Sequence, residues 1–197
     1  FDMVRFSEFL KDKIDITHEG YELRFLGKNY SKMLASLDTE TVIVPDEIHN
    51  SLPENVNSEN VYISGDNLDA LKHLLKSYAG EVKCIYIDPP YNTGAKDWKY
   101  NNDYVDGNDQ YRHSKWLSMI QKRLKIAKKL LNPADSVLIV TIDEKEYLHL
   151  GCLLEEMFPE ANMQMISSVI NPSGSKRLNE FSRNDEYIFF LMFGTAV

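Results

Sequence analysis

The stretch Val82-Lys83-Cys84-Ile85-Tyr86-Ile87-Asp88-Pro89-Pro90-Tyr91 decides how this chain is read. A mainly apolar run ends in a carboxylate, two prolines and an aromatic ring. A short continuous apolar run closed by turn residues reads as a strand buried in a parallel sheet. In such sheets ligands sit at the C-terminal ends of the strands. The prolines fix φ and remove two backbone donors, leaving carbonyl acceptors in a rigid frame. A buried, ionised Asp88 beside those carbonyls accepts hydrogen bonds, so the site suits an amino group. Tyr91 offers that group's ring a surface to stack on.

Working outward, Val61-Tyr62-Ile63 reads as a short strand closed by Ser64-Gly65-Asp66. Asp66 or Asn67 can cap a helix whose Leu68, Leu71, Leu74 and Leu75 share one stripe. With Val82–Ile87 this predicts a strand–helix–strand unit with a crossover. Residues 92–111 are polar and aperiodic, a long loop of the kind that carries function. The spacing then predicts a helix over Ser114–Leu131 with Trp116 in its apolar face, and a strand Val137–Ile142 that ends at Asp143. A helix Glu144–Phe158 follows, then an antiparallel pair, Met165–Ile170 with Glu186–Phe193, around the polar loop Asn171–Asn184. Upstream, residues 3–13 and Tyr30–Leu37 read as helices, and Asp38–Asn60 as a linker or surface wrap. The expected fold class is α/β: part of a doubly wound, mostly parallel sheet ending in an antiparallel hairpin, with a small helical N-terminal segment. The expected division is a helical and extended segment over residues 1–60 and a catalytic domain over residues 61–197.

A chain of 197 residues buries one core, or one domain and an appendage. No apolar run approaches the roughly 20 residues of a membrane span. The N-terminus lacks the apolar core of a secretory signal, and Cys84 and Cys152 have no ligand spacing and read as small buried hydrophobes. A cytoplasmic protein with no membrane association is expected. The chain lacks an initiator Met and stops straight after a strand-like run, which suggests a fragment of a longer polypeptide.

The net charge of −8 argues against a nucleic-acid partner, but its distribution does not. Residues 111–131 carry seven basic groups and no acid, while residues 1–60 carry six basic and twelve acidic groups. That basic helix reads equally as a phosphate-facing element or a solvated face. Lys176, Arg177 and Arg183 in the polar loop read as further candidates for DNA phosphates. A nucleotide hydrolase would need G-x-x-x-x-G-K-[ST], which the sequence lacks. Asp143 could join Asp88 on a metal, though it reads more readily as a cap for the following helix. His18, His49, His73, His113 and His149 are scattered, and no metal site is expected.

An exocyclic amine on a nucleobase is a poor nucleophile, because its lone pair is delocalised into the ring. Two acceptors, the Asp88 carboxylate and the Pro89 carbonyl, would localise that pair for attack on an activated methyl group. The base would have to leave the duplex to reach it. At these residues the chain resembles the amino-group DNA methyltransferases with an Asp-Pro-Pro-Tyr motif, most closely the modification (Mod) subunits of type III restriction-modification systems. The features that carry the resemblance are Ser64-Gly65-Asp66-Asn67-Leu68, Ile87-Asp88-Pro89-Pro90-Tyr91-Asn92-Thr93-Gly94 and Ser114-Lys115-Trp116-Leu117 with Arg123-Leu124. Leu26-Gly27-Lys28 and Pro45-Asp46-Glu47 add to it.

The resemblance implies a Rossmann-like class I methyltransferase that transfers a methyl from S-adenosyl-L-methionine to adenine N6. Asp88, Pro89, Pro90 and Tyr91 would be catalytic, and Asp66 and Asn67 would contact the cofactor. It also implies double-stranded DNA with base flipping, a homodimer and a restriction (Res) subunit as partners. The family's Phe-x-Gly-x-Gly cofactor turn is missing from these residues, so the catalytic domain is expected to be incomplete and inactive alone. The alternatives are a non-catalytic DNA-binding or assembly module, or an amino methyltransferase acting on cytosine N4, on RNA or on a protein glutamine amide.

Overall fold

A computed structural model of the chain describes residues 22–92, 109–177 and 180–196, with the side chains of residues 175–180 left aside. The helix expected over residues 3–13 and most of the loop after Asn92 lie outside the described residues. In chain order the elements are α1 (Lys28–Leu34), α2 (Glu47–Asn50), α3 (Asn67–Tyr78), β1 (Cys84–Ile87), α4 (Arg112–Leu130), β2 (Asp135–Ile142), α5 (Tyr147–Met157), β3 (Asn162–Val169), β4 (Ser175–Arg177), β5 (Glu180–Arg183) and β6 (Asp185–Gly194).

The sheet order is β1-β2-β6-β3. β1 pairs parallel with β2, bringing Ile87 opposite Val140. β6 runs antiparallel to both β2 and β3, with Leu138 opposite Leu191 and Met163 opposite Leu191 on the far side. Three of the four strands therefore point one way and β6 alone runs against them. The α4 crossover joins the parallel pair, as a parallel connection requires.

Strict alternation along β2 places Leu138, Val140 and Ile142 in the core, and the β6 register adds Phe189, Leu191 and Phe193 to the same face. Onto this face pack Trp116, Leu117, Ile120 and Leu124 of α4 and Leu150, Leu153 and Leu154 of α5. Ile126 and Leu130, on a different face of α4, meet Ala35 and the leucine stripe of α3. α4 is thus a central helix sandwiched between sheet, α1 and α3. Its expected amphipathic pattern is correct, and its burial is deeper than a surface helix would show.

Three expectations change and one, the second, is narrowed. Val61–Ile63 forms no strand, and Val61 and Tyr62 are 76% and 92% exposed. The free edge of β1 gains no partner from them, so the predicted strand–helix–strand unit begins at α3. An apolar triplet has no intrinsic strand conformation; without a neighbouring ladder it has nothing to pair with. Second, among the described residues the helices that join the core lie on one face of the sheet, which narrows the expected part of a doubly wound sheet to one of its two helical layers. On the opposite face Tyr86 is 62% exposed. Third, Cys84 is exposed because β1 is an edge strand, and Cys152, on α5, is half-buried. Fourth, the loop Asn171–Asn184 contains the small hairpin β4–β5. No helix among the described residues is long and apolar enough to cross a membrane.

Candidate active site

Because β1 and β2 are parallel, their C-terminal ends lie together, and Asp88 and Asp143 follow directly on them. Asp88 is exposed, not buried as expected. The edge position of β1 leaves its end open on one side. Thr141 in β2 donates its hydroxyl to Asp88 Oδ1 at 2.8 Å, and its Oγ1 lies 3.4 Å from the Ile87 carbonyl. One carboxylate oxygen is thereby anchored.

The rest of the motif is held from below. Trp116, fully buried in α4, donates Nε1–H to the Pro90 carbonyl at 2.6 Å. Its role in the core, expected from the pattern, comes with this second one. The bond uses the Pro90 carbonyl and does not draw on that of Pro89, which is itself buried. Tyr91 is half-buried and its hydroxyl donates to Glu186 Oε2 at 3.3 Å. Burial pushes the Tyr91 phenol up to about 12, with the Asp88 and Glu186 charges adding to it. The phenol therefore stays protonated across the neutral range.

Arg183, at the end of β5, reaches back to this corner. Its guanidinium lies 3.5 Å from Asp143, 3.2 Å from Glu144 and in close contact with Glu186. It is an internal counter-ion for three carboxylates, and the expectation that it faces DNA phosphates is corrected. Those acids come from two segments separated by some 40 residues, so no local pattern links them. Asp143 is fully buried; desolvation raises its pKa, opposed by the Lys145 N–H that it accepts at 2.9 Å. That bond closes the turn before α5; the N-cap position of the helix falls on Glu146 and not, as the sequence suggested, on Asp143.

The basic helix is partly solvated, with Lys115 and Lys129 exposed, and partly paired within the fold. Lys115 pairs with Asp109, Lys128 with Glu160 and the Met157 carbonyl, and Lys125 with the Lys32 carbonyl. Arg123 is buried, with Nε donating to Asn67 Oδ1 at 2.6 Å and Nη2 lying 3.7 Å from Asp66. Desolvation lowers the pKa of Lys122, helped by the nearby Arg123 charge. A helix at the centre of the molecule needs its charges neutralised internally.

Asp66 is the N-cap of α3 and accepts from Leu68 N at 2.8 Å. Its other oxygen faces Arg123, the side chain is 42% exposed, and the adjacent Gly65 has open space where a Cβ would stand.

Behind the motif lies a cluster that the scattered sequence positions concealed. Glu146 is fully buried; its carboxylate accepts from Asn92 Nδ2 and from His113 Nδ1 at 2.7 Å, and pairs with His149 Nδ1 at 3.1 Å. The two imidazoles stack with centroids 4.5 Å apart. The i,i+3 spacing of Glu146 and His149 on one helix face was the sequence signal available. One ligand atom from each of His113, Glu146 and His149 falls within 4.8 Å of the others, a donor set a zinc-like cation accepts. However, Arg112 Nε donates to His113 Nε2 at 3.2 Å, so Nδ1 carries the proton that Glu146 accepts. A guanidinium beside the ring and a proton on the inward nitrogen describe a hydrogen-bonded cluster.

Residues 82–194 match the N6_N4_Mtase family model, a family of DNA methylases. The chain belongs to this DNA methylase family. It is 36% identical over 212 residues to the type III restriction-modification enzyme EcoPI Mod subunit of Escherichia phage P1, covering 95% of this chain and 32% of that protein. It is 42% identical over 182 residues to the StyLTI Mod subunit of Salmonella typhimurium, covering 81% of this methylase chain and 28% of the relative. The type II methyltransferase M.KpnI of Klebsiella pneumoniae is 36% identical over 138 residues, 67% of this chain and 32% of its own. The crystal structure of an M1.HpyAVI–SAM complex matches 70% of the chain and 54% of its own, with a TM-score of 0.46 and 15% identity. The methylase chain thus spans between 28% and 32% of the length of the Mod subunits from EcoPI, StyLTI and EcoP15I.

Proposed function

We propose that this chain supplies the amine-binding half of an S-adenosylmethionine-dependent DNA adenine-N6 methyltransferase, the modification subunit of a type III restriction-modification system acting in the cytoplasm. The observation that carries the reading is the exposed Asp88 carboxylate, tethered by Thr141 at a strand end and followed by prolines whose loop is pinned by Trp116. Three relatives named as Mod subunits support the restriction-modification context.

The residues act as acceptors and as a platform. Asp88 keeps one oxygen on Thr141 and has the other to offer an N–H; the Pro89 carbonyl takes the second N–H. Two acceptors on one amine localise its lone pair and raise its nucleophilicity. The target adenine is extruded from the duplex into this corner, at an unstacking cost of a few kcal/mol, about 1–3 kcal/mol of which stacking on Tyr91 returns. When bound, S-adenosylmethionine supplies a sulfonium methyl as electrophile. As the N–C bond forms and the methyl–sulfur bond breaks to leave a neutral thioether, the exposed Asp88 carboxylate would stabilise the cationic nitrogen, and the surplus proton would pass to water there. Asp66, half-open beside Gly65, fits a polar contact to the cofactor. Asn67 gives its side-chain oxygen to Arg123, so it orients the Asp66 corner.

The partners follow from the same reading: double-stranded DNA, a second modification subunit and a restriction subunit. In the full-length protein Asp88→Ala should abolish tritiated methyl transfer to DNA while binding of S-adenosylmethionine persists. Transfer retained by Asp88→Ala would sink the reading. Product digestion giving N4-methylcytosine instead of N6-methyladenine would shift it to the other target base.

A further inference from the structure

Asn92 follows the motif directly and is 96% buried, with 4% of its surface exposed. Among the described residues it is the non-glycine residue with a left-handed backbone, at φ 57°. L-residues avoid that region, and asparagine tolerates it best because its short amide finds local partners. Here the amide finds a distant one: Nδ2 donates to the Glu146 carboxylate, while Oδ1 has no hydrogen bond among the described residues. The orientation serves the donor at the expense of the acceptor.

Glu146 occupies the N-cap position of α5 yet makes no capping bond through its side chain. An N-cap residue ordinarily spends its side chain on its own helix. This one turns a fully buried carboxylate toward the loop after β1, where one oxygen accepts from Asn92 and from His113 of α4 and the other lies 3.1 Å from His149 Nδ1 of α5. One carboxylate thus ties the C-terminal ends of β1 and β2 and the start of α4.

We propose that Glu146 is a positioning residue for the Asp88–Tyr91 motif: it holds Asn92 in the left-handed turn, and that turn sets how the motif faces its target. The inference rests on the reading of Asp88 as the amine-binding group. It assigns Glu146, Asn92 and His113 to the reaction without contact with substrate.

The test is a double-mutant cycle in the full-length protein, read by methyl transfer to DNA. Asn92→Ala and Glu146→Ala should each lower kcat on the order of 10- to 100-fold, the cost of a small misplacement of reacting groups. KM for S-adenosylmethionine should stay within about twofold, since binding of the donor is not touched. Asn92→Gly should recover part of the loss, because glycine enters the left-handed region freely. In the Asn92→Gly background, Glu146→Ala should add less than about threefold, its partner being gone. A Glu146→Ala cost of equal size in both backgrounds would overturn the proposal, as would unchanged kcat in the single variants. Should Glu146→Ala fail to fold, Glu146→Gln, which keeps the shape and an acceptor, carries the cycle. One transition-metal ion per purified chain, removed by chelator with a fall in melting temperature, would make Glu146 a ligand and also overturn it. Asp88→Ala run alongside separates the failures: activity in Asp88→Ala defeats the functional reading. Inactive Asp88→Ala with fully active Asn92→Ala and Glu146→Ala defeats this inference alone.

Discussion

Asp88 stands in the open while the groups that hold its loop, Trp116 and Asn92, are buried. That contrast separates contact from support, and Tyr91 lies on the boundary. Its phenol stays neutral and serves as a donor to Glu186, whereas its ring is the part that the proposed function stacks on a base. Tyr91→Phe should therefore keep kcat within about threefold, while Tyr91→Ala should lose about tenfold to a hundredfold. Equal losses in the two variants, measured by methyl transfer, would assign the role to the hydroxyl. His149 makes a pH prediction. Its hydrogen bond to Glu146 raises its pKa, against the desolvation that lowers it, with the His113 ring stacked on it and Arg112 beyond. The folded value lies above the ordinary imidazole value of about 6.5, so the stabilisation is complete below that pH and is lost as pH rises through the folded value. Melting temperature should fall from neutral into mildly alkaline pH, and His149→Gln should flatten that slope. An unchanged slope in the variant would place the titration elsewhere.

At the scale of elements, Arg183 fastens the β5–β6 hairpin to the end of β2. Removing it leaves Asp143, Glu144 and Glu186 crowded without their counter-ion. Arg183→Ala should cost about 2–4 kcal/mol, a little below the roughly 3–5 kcal/mol for breaking a fully buried pair, because Glu144 and Glu186 are partly exposed. Urea unfolding of the full-length protein would show it, and a loss below about 0.5 kcal/mol, typical of a surface pair, would contradict the assignment. The far end of β6 makes a different demand. Gly194 has φ +59°, and a Cβ there would stand 2.0 Å from the Ala134 carbonyl oxygen. Gly194→Ala must both strain the backbone and push apart the β2–β6 start. It should destabilise by more than about 1 kcal/mol, seen as a lower melting temperature. A neutral result would mean that this end of the sheet moves freely.

At the scale of the whole molecule, the chain's own pattern carried the helices Asn67–Tyr78, Arg112–Leu130 and Tyr147–Met157 and the hairpin of β3 with β6 to within a few residues. These are long periodic segments whose hydrophobic repeat is set by local geometry. The Asp-Pro-Pro-Tyr motif was equally visible, because its chemistry lies in adjacent residues at a strand end. The missing strand at Val61–Ile63, the exposure of Asp88 and Cys84, and the inward use of Arg183 and Arg123 were not visible. Each depends on which neighbour is or is not beside the segment, and pairing between distant segments leaves no periodicity to read. Glu146 shows the division most clearly. The sequence by itself determined a carboxylate one turn from a histidine, and it determined Asp88 to Tyr91 as an acceptor site with a ring. Only the tertiary structure brought Asn92, His113 and Glu146 together, because burying a charge requires partners from whichever segments the fold delivers.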